Sequence, residues 1–225
     1  MTTATATNYL EIIEQLTPEV PVIFRDVRWD EYVQLLEDLG ERPCIRLSYD
    51  RGTLEIMSTS SLHEYYGLAL HDLIRQVTRR LGIRIRAFGR ATMKKSRTMV
   101  GKEPDGCYYV KSLTLIGKKK QIDFEHAPSP DIAVEIDLST NTINKLPLYQ
   151  RLGVAEVWIY DGYEMTIHRL SAQGYEAVEQ SVELPCFTSA LLTDFLNASQ
   201  DAEDDEQLLQ DYVGLVLQSA PSSAE

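Results

Sequence analysis

Residues 130–137, Pro-Asp-Ile-Ala-Val-Glu-Ile-Asp, constrain this chain more than any other stretch. Ile132, Ala133, Val134 and Ile136 make a short apolar run behind a Pro-Asp entry, the pattern of a buried strand. Glu135 and Asp137 sit two apart within it, so a strand would point both side chains to one face. Burying a carboxylate is costly unless it is paired or bound to a metal. The run therefore predicts a core strand that carries a metal-dependent site.

The rest of the chain supplies elements to surround such a strand. Tyr66, Leu70, Leu73, Ile74, Val77 and Leu81 recur at intervals of three and four. They predict a long amphipathic helix over 62–81 that tolerates Gly67 and stops at Gly82. Further helices are expected at 9–16, 29–39, 144–152, from 189, and over 202–217. Asn144 and, before it, Ser139, Thr140 and Asn141 are candidate caps for the 144–152 helix, whose first turn accommodates Pro147. Hairpins are expected around Asp50-Arg51-Gly52 and Asp161-Gly162, and strands at 22–24, 83–87, 107–110 and 175–182. The basic stretch 93–102 is poorly patterned and reads as a loop or irregular strand, and 111–124 as a loop or small hairpin. This order predicts an α/β fold, a mixed β-sheet flanked by helices. It divides into a single domain over 1–200 with an N-terminal helix and hairpin extension, then an acidic helix and frayed tail over 201–225.

No apolar run approaches the roughly 20 residues needed to span a bilayer. The opening Met1–Thr7 is neither basic nor apolar, so no signal peptide is expected. Cys44, Cys107 and Cys186 are odd in number and far apart, which fits buried thiols in a reducing cytoplasm rather than a disulfide framework. The net charge of −12 argues against a nucleic-acid partner until its distribution is considered. Residues 75–120 hold 14 of the 22 Lys and Arg against two acids, so that segment is +12 and the remainder −24. A basic middle of this kind is compatible with a phosphate-binding groove and also with solvated hairpin surface.

Asp105 opens the strand expected at 107–110, and Glu135 lies in the next confident strand about thirty residues later. As sheet neighbours they could converge on a hard divalent cation, Mg²⁺ or Mn²⁺. Such an ion would polarise a phosphoryl oxygen and activate an attacking water. Lys145, near the start of the following helix, could orient that water and stabilise developing charge; Glu64, in the first turn of the long helix, is a fourth candidate. Each has a plainer reading: Asp105 as a turn residue, Glu64 as a helix-dipole acid, Lys145 as a surface lysine. Glu135 is hardest to explain that way, since its neighbours are apolar on both sides. His63 and His71, eight apart, are too distant for a helical metal pair and read as structural or surface; His126 and His168 show no partner. There is no Walker loop, GxGxxG or GxSxG.

Taken in order, Ser61-Leu-His-Glu64, Glu103-Pro-Asp105, the 130–137 strand, Ser139-Thr140, Lys145-Leu-Pro-Leu-Tyr149 and Gly153-Val-Ala-Glu-Val-Trp158 resemble the Uma family of restriction endonucleases, within the PD-(D/E)XK nuclease superfamily. The likeness covers roughly residues 60–195. It implies a restriction-endonuclease-like core with Asp105 and Glu135 as the two superfamily acids and Glu64 as the helix-borne acid. It also implies metal ligation by the backbone carbonyl of Ile136. One departure stands out: the E-x-K lysine would fall at Asp137, and reading from Asp137 lands on Ser139. The resemblance offers Lys145 as a relocated lysine. Asp137 is then a further acid near the metal or a structural partner for an arginine, and Asp131, on the same strand face, is a secondary candidate.

The expectation is a Mg²⁺- or Mn²⁺-dependent endonuclease, cytoplasmic, cleaving phosphodiester bonds in DNA. Asp105 and Glu135 would hold the metal, Glu64 would support it and Lys145 would assist the nucleophile. The rival is a nuclease-fold protein without turnover that serves as a binding or assembly module, favoured by the acidic charge and the missing E-x-K lysine. Hydrolysis of another phosphoester is a third possibility. Double-strand cutting would suit a homodimer. No helix-turn-helix or zinc finger is present to read bases.

Overall fold

The strand expected within 130–137 forms over Ile132–Ile136, and all five residues are buried. The computed structural model describes residues 8–40, 42, 44–139 and 144–219. In chain order the elements are α1 (Tyr9–Ile13), β1 (Val22–Phe24), α2 (Trp29–Leu39), β2 (Ile45–Asp50), β3 (Thr53–Ser58) and α3 (Ser61–Arg80). Then come β4 (Arg86–Ala87), β5 (Met93–Lys95), β6 (Val100–Lys102), β7 (Gly106–Tyr109), α4 (Leu113–Ile116) and β8 (Ile132–Ile136). The chain continues through α5 (Lys145–Leu152), β9 (Glu156–Tyr160), β10 (Met165–Ser171), β11 (Gly174–Val178), α6 (Ser189–Gln200) and α7 (Asp205–Ser219).

The larger sheet has the order β11-β10-β9-β8-β7-β4. Only β8 and β9 run parallel, and α5 lies between them in sequence as the crossover helix that parallel neighbours require. The alternation of β8 separates two cores. Ile132, Val134 and Ile136 pack with Tyr66, Leu70 and Ile74 of α3, while Ala133 packs with Leu148, Tyr149 and Leu152 of α5. Glu135 shares the parity of Ala133 and so faces α5.

The smaller sheet, β1-β3-β2-β6-β5, is antiparallel throughout; the order of patterned segments predicts one mixed sheet, and the structure has two. Leu47, Tyr49, Leu54 and Ile56 form its apolar face, packed with Tyr32, Leu35 and Leu39 of α2. Arg46, Ser48 and Glu55 have the opposite parity and are buried although polar. Lys102, Ser48 and Glu55 align as one row across β6, β2 and β3. Gly101 sets how close α2 can come: a Cβ there would lie 2.1 Å from Tyr32 Oη, so only glycine fits.

Both expected hairpins form, as do the long helix and the 145–152 helix, capped by Asn144 and closed by Gly153 at φ 79°. Of the other proposed caps, Thr140 and Asn141 lie outside the described residues. The stretch 93–102 is not a loop but the β5–β6 hairpin, reversed by a 3₁₀ turn at Ser96–Thr98 and by Met99 at φ 48°. Its basic side chains hid the strands, because two of them are consumed inside the protein. Lys95 donates to the Leu152 carbonyl at 2.7 Å, and Lys102 is buried. The strand expected at 83–87 shrinks to Arg86–Ala87, and 111–124 contains the short α4. α7 packs through Leu209, Val213 and Val216 into the same core as α3.

Candidate active site

The β7–β8 ladder fixes the two acids against each other. Gly106 pairs with Val134, Cys107 with Ala133 and Tyr108 with Ile132, so the next step in register sets Asp105 opposite Glu135. The Asp105 N–H donates to the Val134 carbonyl at 2.9 Å, and the Ile136 N–H donates to Asp105 Oδ2 at 2.8 Å. A paired strand residue exposes its N–H and C=O to the same side. The Ile136 carbonyl therefore leaves β8 on the side of Asp105.

Glu135 is almost fully buried, and both its oxygens are engaged. The Tyr149 hydroxyl donates to Oε1, while Lys145 Nζ lies 3.0 Å and Lys102 Nζ 3.2 Å from Oε2. Lys145 also lies 3.1 Å from Asp137 Oδ2, and Asp137 Oδ1 accepts the Ser139 hydroxyl at 3.0 Å. Lys145 is 5 % exposed, so it is not the surface lysine of the plainer reading. Burial opposes its charge, but Glu135, Asp137 and Asp105 together hold the ammonium above the usual lysine range. Tyr149 stands one helical turn beyond Lys145 on the same face of α5. That i, i+4 spacing was a signal by which the sequence could have revealed it.

Asp105 sits in a second cationic cage. Its Oδ1 lies 3.0 Å from Arg46 Nε and 2.9 Å from His63 Nε2. Burial would raise its pKa, yet His63, Arg46 and the Ile136 N–H hold it well below the usual carboxylate range. Arg46 bridges onward to Glu64 Oε1 at 2.8 Å, an atom that also accepts the Thr59 hydroxyl at 2.7 Å. Arg90 pairs with the other Glu64 oxygen. Glu19, 3.3 Å from His63 Nδ1, completes the network. His63 thus belongs to the candidate site rather than to generic structure.

The structure accordingly brings Asp105, Glu135, Asp137 and Lys145 together and connects Glu64 to Asp105 through Arg46. Asp131 stands apart. Its Oδ2 accepts the N–H groups of Val110 at 2.6 Å and Ser112 at 2.9 Å, which makes it the anchor of the turn after β7. His71 contacts the Tyr108 hydroxyl at 3.0 Å, and His126 has a partner after all in Asp123 at 2.7 Å. Of the cysteines only Cys107 is fully buried, and Cys44 is exposed.

Sequence reading missed Arg46, His63, Lys102 and Tyr149. Arg46 and Lys102 come from the smaller sheet, whose polar face covers the site. Their role depends on packing between sheets, which no local pattern encodes. The basic 75–120 segment is likewise not one patch: Arg90 and Lys102 point inward, while Arg75, Arg79 and Arg84 stay exposed.

Two carboxylates and a strand carbonyl are the hard oxygen donors that Mg²⁺ prefers. Here, however, every carboxylate oxygen of Asp105 and Glu135 is already held by an N–H or O–H donor. Among the described residues, no group of three or more His, Cys, Asp or Glu stands ready to hold a metal. The donor chemistry fits a divalent ion, and the same carboxylates pair with Arg46, His63, Lys102 and Lys145.

A mixed sheet flanked by helices, with acids on facing strands and a lysine on the crossover helix, defines a restriction-endonuclease-like protein. Residues 29–198 match the Uma2 family, described as "putative restriction endonuclease", and the chain belongs to that family. Among solved structures, a "putative nuclease belonging to DUF820" from Anabaena variabilis ATCC 29413 is similar at 17 % identity and a TM-score of 0.48. The similarity covers 83 % of this chain and 99 % of that one. No curated protein matches. Among the described residues, no helix is long and apolar enough to cross a membrane.

Proposed function

We propose that the protein is a Mg²⁺-dependent endonuclease that hydrolyses phosphodiester bonds in DNA. The observation that carries this reading is the register that sets Asp105 opposite Glu135, with Lys145 buried against Glu135. Asp105, Glu135 and the Ile136 carbonyl would hold the ion, with Glu64 in support. When bound, Mg²⁺ would supply Lewis-acid polarisation of the phosphoryl oxygen and a more acidic water. Lys145, kept charged by three carboxylates, would orient the nucleophile and meet negative charge that develops on the phosphoryl oxygens. Tyr149 and Lys102 would fix the Glu135 carboxylate in place.

The test is Mg²⁺-dependent cleavage of oligonucleotides by Glu135→Gln, with circular dichroism as a folding check. Glu135→Ala is a poorer choice, because it leaves Lys102 and Lys145 buried without their shared partner, a change that typically costs about 3–5 kcal/mol. The amide preserves volume and an acceptor for Tyr149. Cleavage should fall at least ~100-fold. A folded variant that retains cleavage would remove Glu135 from the mechanism.

The neutralised carboxylates support a second reading, a nuclease-fold module without turnover. Calorimetric titration with Mg²⁺ and Mn²⁺ separates the two. Absence of ion binding, together with absence of cleavage of single-stranded or duplex DNA, selects the non-catalytic module.

A further inference from the structure

One face of α3 runs from the candidate site into a basic groove. Beside Asp105 lies a cleft of about 200 Å³, walled on α3 by Glu64, Gly67 and His71 and on the other side by Gly89 and Arg90. One helical turn beyond His71, a cavity of about 280 Å³ begins at Arg75 and takes in Arg79, with Arg84 and Arg86 opposite. A third, of about 430 Å³, shares Arg84 and Arg86 and ends at Lys118. Positions 64, 67, 71, 75 and 79 repeat at three and four, so they form one stripe along the helix. From Glu64 to Arg79 that stripe is about 22 Å long at 1.5 Å per residue.

The sign of the groove changes along it. At the Glu64 end the cations are spent: Arg90 and Arg46 both pair with Glu64. At the other end Arg75, Arg79 and Arg84 are exposed, and among the described residues none of the three makes an ion pair. Asp72, the nearest acid in sequence, stands three residues before Arg75 and lines the neighbouring cavity with Phe195 and Leu209, and among the described residues no ion pair joins it to Arg75 or Arg79. Arg86 donates to the carbonyls of Gly117 and Lys119 at 2.8 Å each, which secures the loop that carries Lys118. Exposed guanidinium groups that no ion pair satisfies, in a groove along the same face of α3 as the candidate site, match a run of phosphates.

We propose that the α3–β4 groove, through Arg75, Arg79, Arg84 and Lys118, is the track that holds the phosphate backbone of the DNA on one side of the scissile bond. The proposal rests on the nuclease reading of the site. It adds a polarity: DNA is gripped on the Arg79 side of the site, where Arg75, Arg79 and Arg84 are exposed, and not beside Glu64, where the cations are spent.

The experiment measures binding without chemistry. Affinity of the full chain for a labelled duplex and for the matching single strand is followed against salt concentration in chelator. A variant with Arg75→Ala, Arg79→Ala and Arg84→Ala is compared with an Arg169→Ala control on β10. All four side chains are exposed, so melting temperatures should match wild type. Each phosphate contact removed should reduce the slope of log affinity against log salt by about 0.9 for duplex or 0.7 for single strand. The triple variant should therefore flatten the slope by about 2–3, and the form of DNA that shows the change is the one the groove accepts. An unchanged slope in the triple variant, with wild type binding normally, overturns the groove and leaves the nuclease reading standing. Wild type that binds neither DNA form in chelator also overturns the groove, and cleavage of the same oligonucleotides in Mg²⁺ then judges the nuclease reading separately.

Discussion

His63 shows how a single residue gains its meaning from partners remote in sequence. Read along the chain it is an isolated histidine near a helix start. In the fold it lies 2.9 Å from Asp105 and 3.3 Å from Glu19, at 2 % exposure. Burial disfavours its charge, but hydrogen bonds and attraction from the two carboxylates outweigh burial and push its pKa up to about 9. A histidine whose folded pKa exceeds its unfolded value of about 6.5 stabilises the fold fully below that value, and the contribution is lost as pH rises through about 9. The stability of the metal-free protein to urea should therefore fall by up to a few kcal/mol between pH 6.5 and 9. His63→Gln should flatten that decline, and a decline of equal size in the variant would assign it to other groups. At this scale, Glu135 was legible because a carboxylate inside an apolar strand is anomalous on its own. Arg46 and Lys102 were not, because a cation in a short alternating strand is ordinary until the face it points to is known.

At the scale of elements, α3 was legible almost to the residue, since twenty residues of 3.6-fold periodicity leave little choice. The β5–β6 hairpin was opaque, because six strand residues of mixed polarity carry no comparable signal. Gly67 is the weakest helix former in α3, at a cost of roughly 1 kcal/mol against alanine. Packing does not demand it: a Cβ there would rest 4.0 Å from the Asp105 Cβ, an ordinary contact. What the missing side chain does is keep the cleft beside Asp105 open. Gly67→Ala should raise stability by about 0.5–1 kcal/mol and leave cleavage close to wild type. Gly67→Leu should remain folded while it fills the cleft, with cleavage lowered at least ~10-fold through a raised KM. Wild-type kinetics in the leucine variant would place the path of the substrate elsewhere.

At the scale of the whole molecule, the mixed sheet with flanking helices followed from the order of patterned segments. The second sheet did not, since the sequence cannot say that β2 and β3 pair with β5 and β6 rather than extend the larger sheet. The charge distribution also resolves only at this scale. A chain of net −12 offers DNA few attractive surfaces, so an unpaired basic stripe on α3 stands out electrostatically. The acidic C-terminal helix reads in sequence as an appendage, yet α7 buries Leu209, Val213 and Val216 against the core that α3, α6 and the larger sheet share. At about 1.5–3 kcal/mol per buried aliphatic side chain, those three contribute several kcal/mol to a fold of this size, whose total stability is expected to be about 5–15 kcal/mol. A chain ended at Asp201 should therefore lose cooperative melting or aggregate, and Val213→Asp in the full chain should lower the melting temperature by several degrees or more. The helix orders α3, and α3 carries Glu64, His63 and the groove, so the loss should extend to DNA binding. A truncated chain that melts at the wild-type temperature and still cleaves DNA would show that α7 covers the core without supporting it.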